Sequence, residues 1–418
     1  MLLYLWANEW QNQRNRCVFS YIIQLTFEEG VFLKETHEFL VPDYYEHFSC
    51  KMGRCRAVCC EGWPISFSLD DYYHLMGEEC SAELRQKLDK SLHIKLSPTP
   101  DAYAEIAQRY DGSCPMRMED GRCALHAEMG EGALSYVCRL YPRGVRTENG
   151  YECSCANSCE AVLELLFNHD EPIEFVKREL SFDLPPAEKP AIFFETLGRE
   201  QEIRLWLIRH MQNQTLPIPL RMMAMGHALA ALDQALSVRD DKEVDRLIRG
   251  QRRIKPLQAM ELTPGHLDFG MRIAGEMIKL LDERSNSIRS YGEDALAYFD
   301  HSFDRYTAAR NHFERVLPKW DVWFEHMLVN HMFFSRFPFQ DRPVSLPDEF
   351  IALCAVYSLL RFLGIGHMRD KTDSSAFVDV AAAAFRLIDH TSFDHYAAGM
   401  MKELGCDDWS RIHDLISL

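Results

Sequence analysis

The sequence has no surplus of positive charge. Its 46 Lys and Arg face 63 Asp and Glu, a formal charge of −17. This excludes a surface that tracks phosphates, because nucleic-acid affinity grows from clustered cations, and it makes a neutral or basic protein the easier partner. A long unbroken apolar run is also missing. The most apolar stretch, Phe350 to Gly366, is interrupted by Arg361 and falls short of the roughly 20 residues that cross a bilayer. It predicts a buried helix and no membrane partner. The opening MLLYLWANEW breaks its apolar run at Asn8 and Glu9, with no basic residues before it and no small-residue cleavage site after it, so it predicts no signal peptide and a cytoplasmic location. No GxGxxG follows a strand-like run, no βαβ alternation appears and HExxH is absent, which removes the usual dinucleotide fold and the zincin site. No period recurs, which disfavours a solenoid.

Cysteine, by contrast, is abundant. Of fourteen cysteines, eleven lie between Cys50 and Cys159. In a reducing cytosol, thiols clustered in this way read as ligands of a metal or an iron–sulfur cluster rather than as disulfides. The same stretch has short apolar runs and glycine punctuation, the texture of a loop-rich, metal-organised domain. Three prolines within Phe182 to Pro190 interrupt any regular helix and mark a linker. Beyond it, Ala191 to Met211, Met222 to Leu236, Asp294 to Val316, Trp320 to Phe334, Phe350 to Leu363 and Ala376 to Leu404 carry apolar residues at helical spacing. The chain therefore reads as mainly α: a loop-rich Cys-cluster metal-binding domain over residues 41–180, then an all-α helical bundle domain over 191–418. Residues 1–40 form an N-terminal extension, with a β-like pattern from Cys17 to Thr26. Two helix starts are legible. Ser68-Leu-Asp-Asp71 has capping-box spacing, and Ser345-Leu-Pro-Asp348 puts a cap, an early proline and an acid in one turn. A further helix is expected from Glu160 to Asn168.

The first cysteine group, Cys50, Cys55, Cys59 and Cys60, places four thiols in eleven residues, with Gly53 and Gly62 supplying turns. In extended chain, Cys59 and Cys60 would point opposite ways and serve different roles. The second group is Cys114, Cys123, Cys138, Cys153, Cys155 and Cys159. Glu119-Asp-Gly121 reads as a hairpin turn that brings Cys114 and Cys123 together across paired strands. One centre or two are both compatible with this supply of thiols, and zinc competes with an iron–sulfur cube for a four-thiolate site. The ferredoxin run and the Cx3Cx2C of radical enzymes are both absent, the latter because Gly62 stands three after Cys59. His326 with His331, and His390 with His395, lie about 140° apart on a helix and are poor joint metal ligands.

The run Phe48-Ser-Cys50-x4-Cys55-x3-Cys59-Cys60-x-Gly62-Trp63, followed by Cys114-Pro115, Asp120-Gly-Arg-Cys123, Leu134-Ser135-x2-Cys138 and Tyr141-Pro142-Arg143, resembles the flagellin lysine-N-methylase family and, more broadly, Cys-rich zinc- or iron-chelating cluster proteins. The resemblance covers about residues 41 to 165. It implies a bacterial enzyme that methylates flagellin lysines with S-adenosylmethionine and a [4Fe-4S] cluster, zinc being the alternative metal. The cysteines carried over by position are Cys50, Cys55, Cys59, Cys60, Cys114, Cys123, Cys138 and Cys159, without singling out the four that bind one cluster. Glu160 follows Cys159 where the family pattern has proline, so Cys153 or Cys155 could replace Cys159.

Such a reaction needs a neutral lysine amine, whereas free lysine titrates near 10.4. Tyr141, Tyr136 and His126 are the nearby proton acceptors and Trp63 an apolar wall. Tyr141 and Arg143 are the expected catalytic pair, while Arg139 is the expected contact to the donor carboxylate or the anionic cluster. The alternatives are a non-catalytic zinc- or iron-binding module and an Fe–S redox protein.

Overall fold

The computed structural model describes residues 35–56, 59–61, 65–147, 150–182, 196–250, 262–281, 286–340 and 344–418. The β-like segment Cys17 to Thr26, Trp63, and the linker prolines lie outside the described residues. Strand β1 (Glu35–Pro42) lies between β6 (Glu152–Cys155), which it pairs in parallel at Leu40↔Glu152, and β7 (Phe175–Phe182), which it pairs antiparallel along its whole length. β5 (Arg143–Arg146) closes the other edge, giving the order β5-β6-β1-β7. Phe39 and Val41, two residues apart, are fully buried, as expected for a sheet that covers a core with one face. A second sheet, β2 (Ile65–Phe67), β4 (Ala104–Ile106) and β3 (Leu92–Ile94) in the order β2-β4-β3, packs with α1 (Leu69–Gly77) and α2 (Ala82–Ser91) around a small core of its own. α1 starts where the capping spacing predicts: the Ser68 hydroxyl accepts from the Asp71 N–H at 3.0 Å. α3 (Ala124–Met129), α4 (Tyr136–Leu140) and α5 (Glu160–Asn168) follow, the last with the predicted bounds.

Eleven further helices form the rest: α6 (Glu200–Met211), α7 (Ile218–Ser237), α8 (Asp241–Ile248), α9 (Pro264–Lys279), α10 (Asn286–Phe299), α11 (Phe303–Val316), α12 (Trp320–Phe334), α13 (Leu346–Met368), α14 (Ser375–Ile388), α15 (Phe393–Glu403) and α16 (Trp409–Ile416). The mainly α class is as expected. Trp320 to Phe334 forms with its predicted bounds, and α13 starts at the predicted Ser345 cap. Other expectations need correction. Asp294 to Val316 is two helices, because Asp300 and His301 adopt φ of 45° and 55° and the Ser302 hydroxyl caps a new helix by accepting from the Arg305 N–H. Ala376 to Leu404 also breaks, at Thr391, whose hydroxyl accepts from the Phe393 N–H and donates to the Leu387 carbonyl. The helix expected from Ala191 starts at Glu200 among the described residues, behind a left-handed Leu197-Gly198 turn.

α13 is the only helix among the described residues long and apolar enough to cross a membrane, and 94% of its most apolar window is buried inside the protein. It is the predicted core helix. Arg361, in its middle, pairs with Glu314 and lies 3.8 Å from the centroid of the Trp320 ring, so its charge is matched rather than stranded. The large core joins this bundle to the four-stranded sheet and α5: Phe39, Val162 and Leu166 belong to the same buried cluster as Phe324 and Leu360.

A cysteine-lined cavity as the candidate functional site

Between the small sheet and α5 lies a cavity of about 250 Å³. All eight cysteines carried over from the resemblance line it: Cys50, Cys55, Cys59, Cys60, Cys114, Cys123, Cys138 and Cys159. Phe48, Ile65, Ile106, Met116, Leu125 and Leu134 make up much of the apolar wall, and Met52 and Val137, both large and exposed, form part of its rim. Cys153 and Cys155 are elsewhere. They are buried on β6 within the large core, with Cys153 Sγ 3.5 Å from Tyr45 Oη. Of the three thiols that compete for the last position, the fold therefore brings only Cys159 to the cavity.

The chain reaches this arrangement by local devices. Cys59 and Cys60 lie in a turn rather than in extended chain, and both line the cavity instead of pointing to opposite sides. The Glu119-Asp-Gly121 turn forms, closed by Gly121 N–H to the Met118 carbonyl at 3.0 Å, but the flanking strands reduce to one bridge, Arg117↔Cys123. Cys114 instead bonds through its backbone N–H to the Cys60 carbonyl at 2.8 Å, which links the two cysteine groups. Gly53 and Gly121 both have φ of +85°, and a Cβ on either would stand 2.3 Å from the backbone of the other. Only glycine permits two turns to stack this closely.

Three of the thiols sit at helix starts. Cys123 is the N-cap of α3, Cys159 that of α5, and Cys138 lies in the first turn of α4 behind the Ser135 cap. The Leu125 and His126 N–H groups act to lower the Cys123 thiol, and those of Ala161 and Val162 to lower Cys159, although neither sulfur closes a cap hydrogen bond. Such donors stabilise sulfur anions. Burial acts the other way. It pushes Cys138 and Cys159 up to about 12 and Cys55 to about 11, and it raises Cys114 and Cys123. Cys59 moves down to about 7 because Cys60 hydrogen-bonds its sulfur, with Arg386 and Arg117 adding positive charge; Cys60 is pushed up by the same bond and by burial. Of the eight wall thiols only Cys114 is buried; Cys55, Cys60, Cys123, Cys138 and Cys159 are half-buried, and Cys50 and Cys59 are exposed. Among the described residues no three His, Cys, Asp or Glu side chains converge as a ready single-ion site. The eight thiols line one shared volume.

The other expected site residues are distributed unevenly. His126 and Tyr141 line the cavity. Tyr141 is strongly held in its neutral form by burial and then by Cys159, and its Oη lies 3.1 Å from Ser158 Oγ. Arg143 and Arg139 are not in the wall. Arg143 lies over the ring of Phe48 at 5.2 Å, whereas Arg139 pairs with Asp71 at 3.1 Å. Tyr136, also outside the wall, bonds Asp71 through its backbone N–H.

Sequence reasoning missed the clamp. The side chain of Glu160 is fully buried. It accepts from Lys51 Nζ at 2.6 Å and from the Arg56 N–H at 2.7 Å, and so fastens the first cysteine loop to α5. α14 grips the same loop from the helical half, Asp379 through Arg56 Nε at 2.8 Å and Arg386 through the Glu61 carbonyl at 3.4 Å. The departure at position 160 was the one visible signal of this clamp.

Residues 204–415 match the family model described as the FliB lysine N-methylase C-terminal domain. The matched segment begins well after the last of the cysteines that carry the resemblance, so the two likenesses rest on different parts of the chain. No curated protein and no solved structure matches.

Proposed function

The chain belongs to the flagellin lysine N-methylase family, and from that premise we propose that it methylates the ε-amines of flagellin lysines in the bacterial cytoplasm, with S-adenosylmethionine as donor and a [4Fe-4S] cluster in the cysteine cavity. The observation that carries this reading is the convergence of eight thiols from four separate chain segments on one cavity, clamped by a helical half that matches the family over a different stretch. The cluster ligands come from Cys50, Cys55, Cys59, Cys60, Cys114, Cys123, Cys138 and Cys159. A bound cluster supplies a thiolate-held electron-transfer or anchoring centre, and the donor supplies a methyl group on a sulfonium sulfur.

The residues of the chain have a separate task, to present an uncharged amine. A lysine at neutral pH lies about three pKa units on the charged side, a deficit of about 4 kcal/mol. An apolar wall disfavours the ammonium form, and Tyr141 offers an oxygen to accept its proton. Lys51, Arg122 and Arg386 place cations at or beside the cavity, which also opposes a second positive charge there. Arg143, stacked on Phe48, is positioned to brace the wall. The acidic surface favours approach of a lysine-bearing partner, and the burial of α13 agrees with an enzyme acting away from lipid.

Anaerobically purified protein should contain about four irons and four acid-labile sulfides per chain, with a paramagnetic signal after dithionite. It should also transfer methyl groups to flagellin in a mass-spectrometric assay. Stoichiometric zinc without sulfide would replace the cluster by a zinc scaffold. Unchanged flagellin lysine methylation in cells lacking the gene would overturn the substrate assignment.

A further inference from the structure

A hydrogen-bonded line leads out of the cavity wall into the helical half. Tyr141, in the turn after α4, bonds Ser158 Oγ at 3.1 Å, and Ser158 Oγ lies 2.8 Å from His390 Nε2 in the turn after α14. The Tyr141 and His390 rings sit 6.1 Å apart, centroid to centroid. Ser158 is completely buried and is bonded on both sides. We propose that Tyr141, Ser158 and His390 form a proton relay that deprotonates the acceptor lysine, with His390 as the terminal base. This rests on the methyltransferase reading above and extends it to a residue of the helical half.

The step balances without any further reactant. An N–H bond of the lysine ammonium breaks as its proton passes to Tyr141 Oη; the tyrosine proton passes to Ser158 Oγ, and the serine proton to His390 Nε2. Both hydroxyls end as they began, and the positive charge has moved from the amine to the imidazole, leaving the amine lone pair available for methyl transfer. Hydroxyls are suited to this role because each can donate and accept at once. The terminal group must be neutral beforehand, and burial, with Arg386 helping, holds His390 below its ordinary value against the opposing charge of Asp389. Asp389 is itself engaged by His331 Nδ1 at 2.9 Å. The charged or titratable groups facing His390 include Asp389 and Arg386 on its own segment and Tyr141 across from it.

The test is the pH profile of methyl transfer by full-length, cluster-loaded enzyme. His390→Gln keeps a hydrogen-bonding side chain but cannot take up the proton. It should lower kcat about 100-fold near pH 7 with KM little changed, and the deficit should shrink as pH rises towards the ordinary lysine range near 10.4. Ser158→Ala, a smaller change, should give the same profile and serves if His390→Gln fails to fold. Independently of turnover, adding butylamine at neutral pH should shift the His390 imidazole NMR signal towards its protonated position in wild type and not in Tyr141→Phe. Absence of methyl transfer in the wild type would overturn the methyltransferase reading. Transfer by the wild type with an unchanged ratio to Ser158→Ala at every pH would overturn the relay alone, as would an unmoved imidazole signal in the wild type.

Discussion

The cysteine region and the helical half stabilise themselves by different means. Among the described residues, the small sheet with α1 and α2 packs around fourteen buried residues, including Cys114, and its cavity wall is built from turns, caps and one glycine-on-glycine contact. The helical half buries whole helices. Nearly every residue of α13 is inside, and the charges it takes along, Arg361 and Glu349, are matched. A core that small is marginal for its length and calls for a staple, while the larger one needs none. The comparison separates a region held by turns and caps around a small core from a region that supplies the frame.

The largest expected effect sharpens this contrast directly. Replacing Cys59 and Cys138 by serine should abolish bound metal and activity, and should open the segment around residues 50–140 to proteolysis at least about tenfold faster, because structural metal binding contributes on the order of 10 kcal/mol to folding. The fragment beyond residue 200 should remain resistant; equal cleavage of both halves would erase the distinction. In the frame, Glu325 is fully buried and paired with Arg221. Glu325→Ala should cost about 3–5 kcal/mol by stranding the guanidinium, measured as a lower thermal midpoint with metal content per folded chain unchanged. Gly53→Ala should cost about 1–3 kcal/mol through its left-handed backbone, and more if the Gly121 turn cannot move aside. This loss should appear in metal retention rather than in the unfolding of the helical half.

The smallest effect is a pH dependence confined to the frame. Burial alone would lower His395, but its hydrogen bonds to Asp394 and Glu349 raise it to about 9. A folded-state value above the unfolded one means stability that is fully present below about pH 6.5 and is lost as pH rises through about 9. The α13–α15 contact should therefore weaken over that window, seen as faster amide exchange in α15, and His395→Gln should flatten the dependence.

How much of this was legible in advance differed between the regions in the same way. The family resemblance picked out all eight wall thiols, because its motifs are carried by residue type, and type is visible in sequence. Helix positions were legible where an apolar run was continuous and met no internal break, as in α12, which is buried from Phe324 to Phe333 and has no side-chain cap at Lys319. They failed where the stripe continued across a break, since periodicity registers neither the left-handed turn at His301 nor the side-chain hydrogen bonds of Thr391. Arg139 illustrates the same limit, because whether an arginine faces a cavity or is held by Asp71 depends on α1, some 60 residues earlier in the chain.

The sequence by itself determined the chemistry available: thiols concentrated in one stretch, helical patterning in the other and a net negative charge. Only the tertiary structure decided which thiols share a cavity, that Cys153 and Cys155 do not, that Arg386 and Asp379 from the helical half hold the first cysteine loop through Glu61 and Arg56, and that His390 bonds Ser158. The reason is physical. Residue identity sets what a group can do, but which groups meet is settled by long-range packing and by buried ion pairs such as Lys51 with Glu160, and these leave no mark at any fixed spacing along the chain.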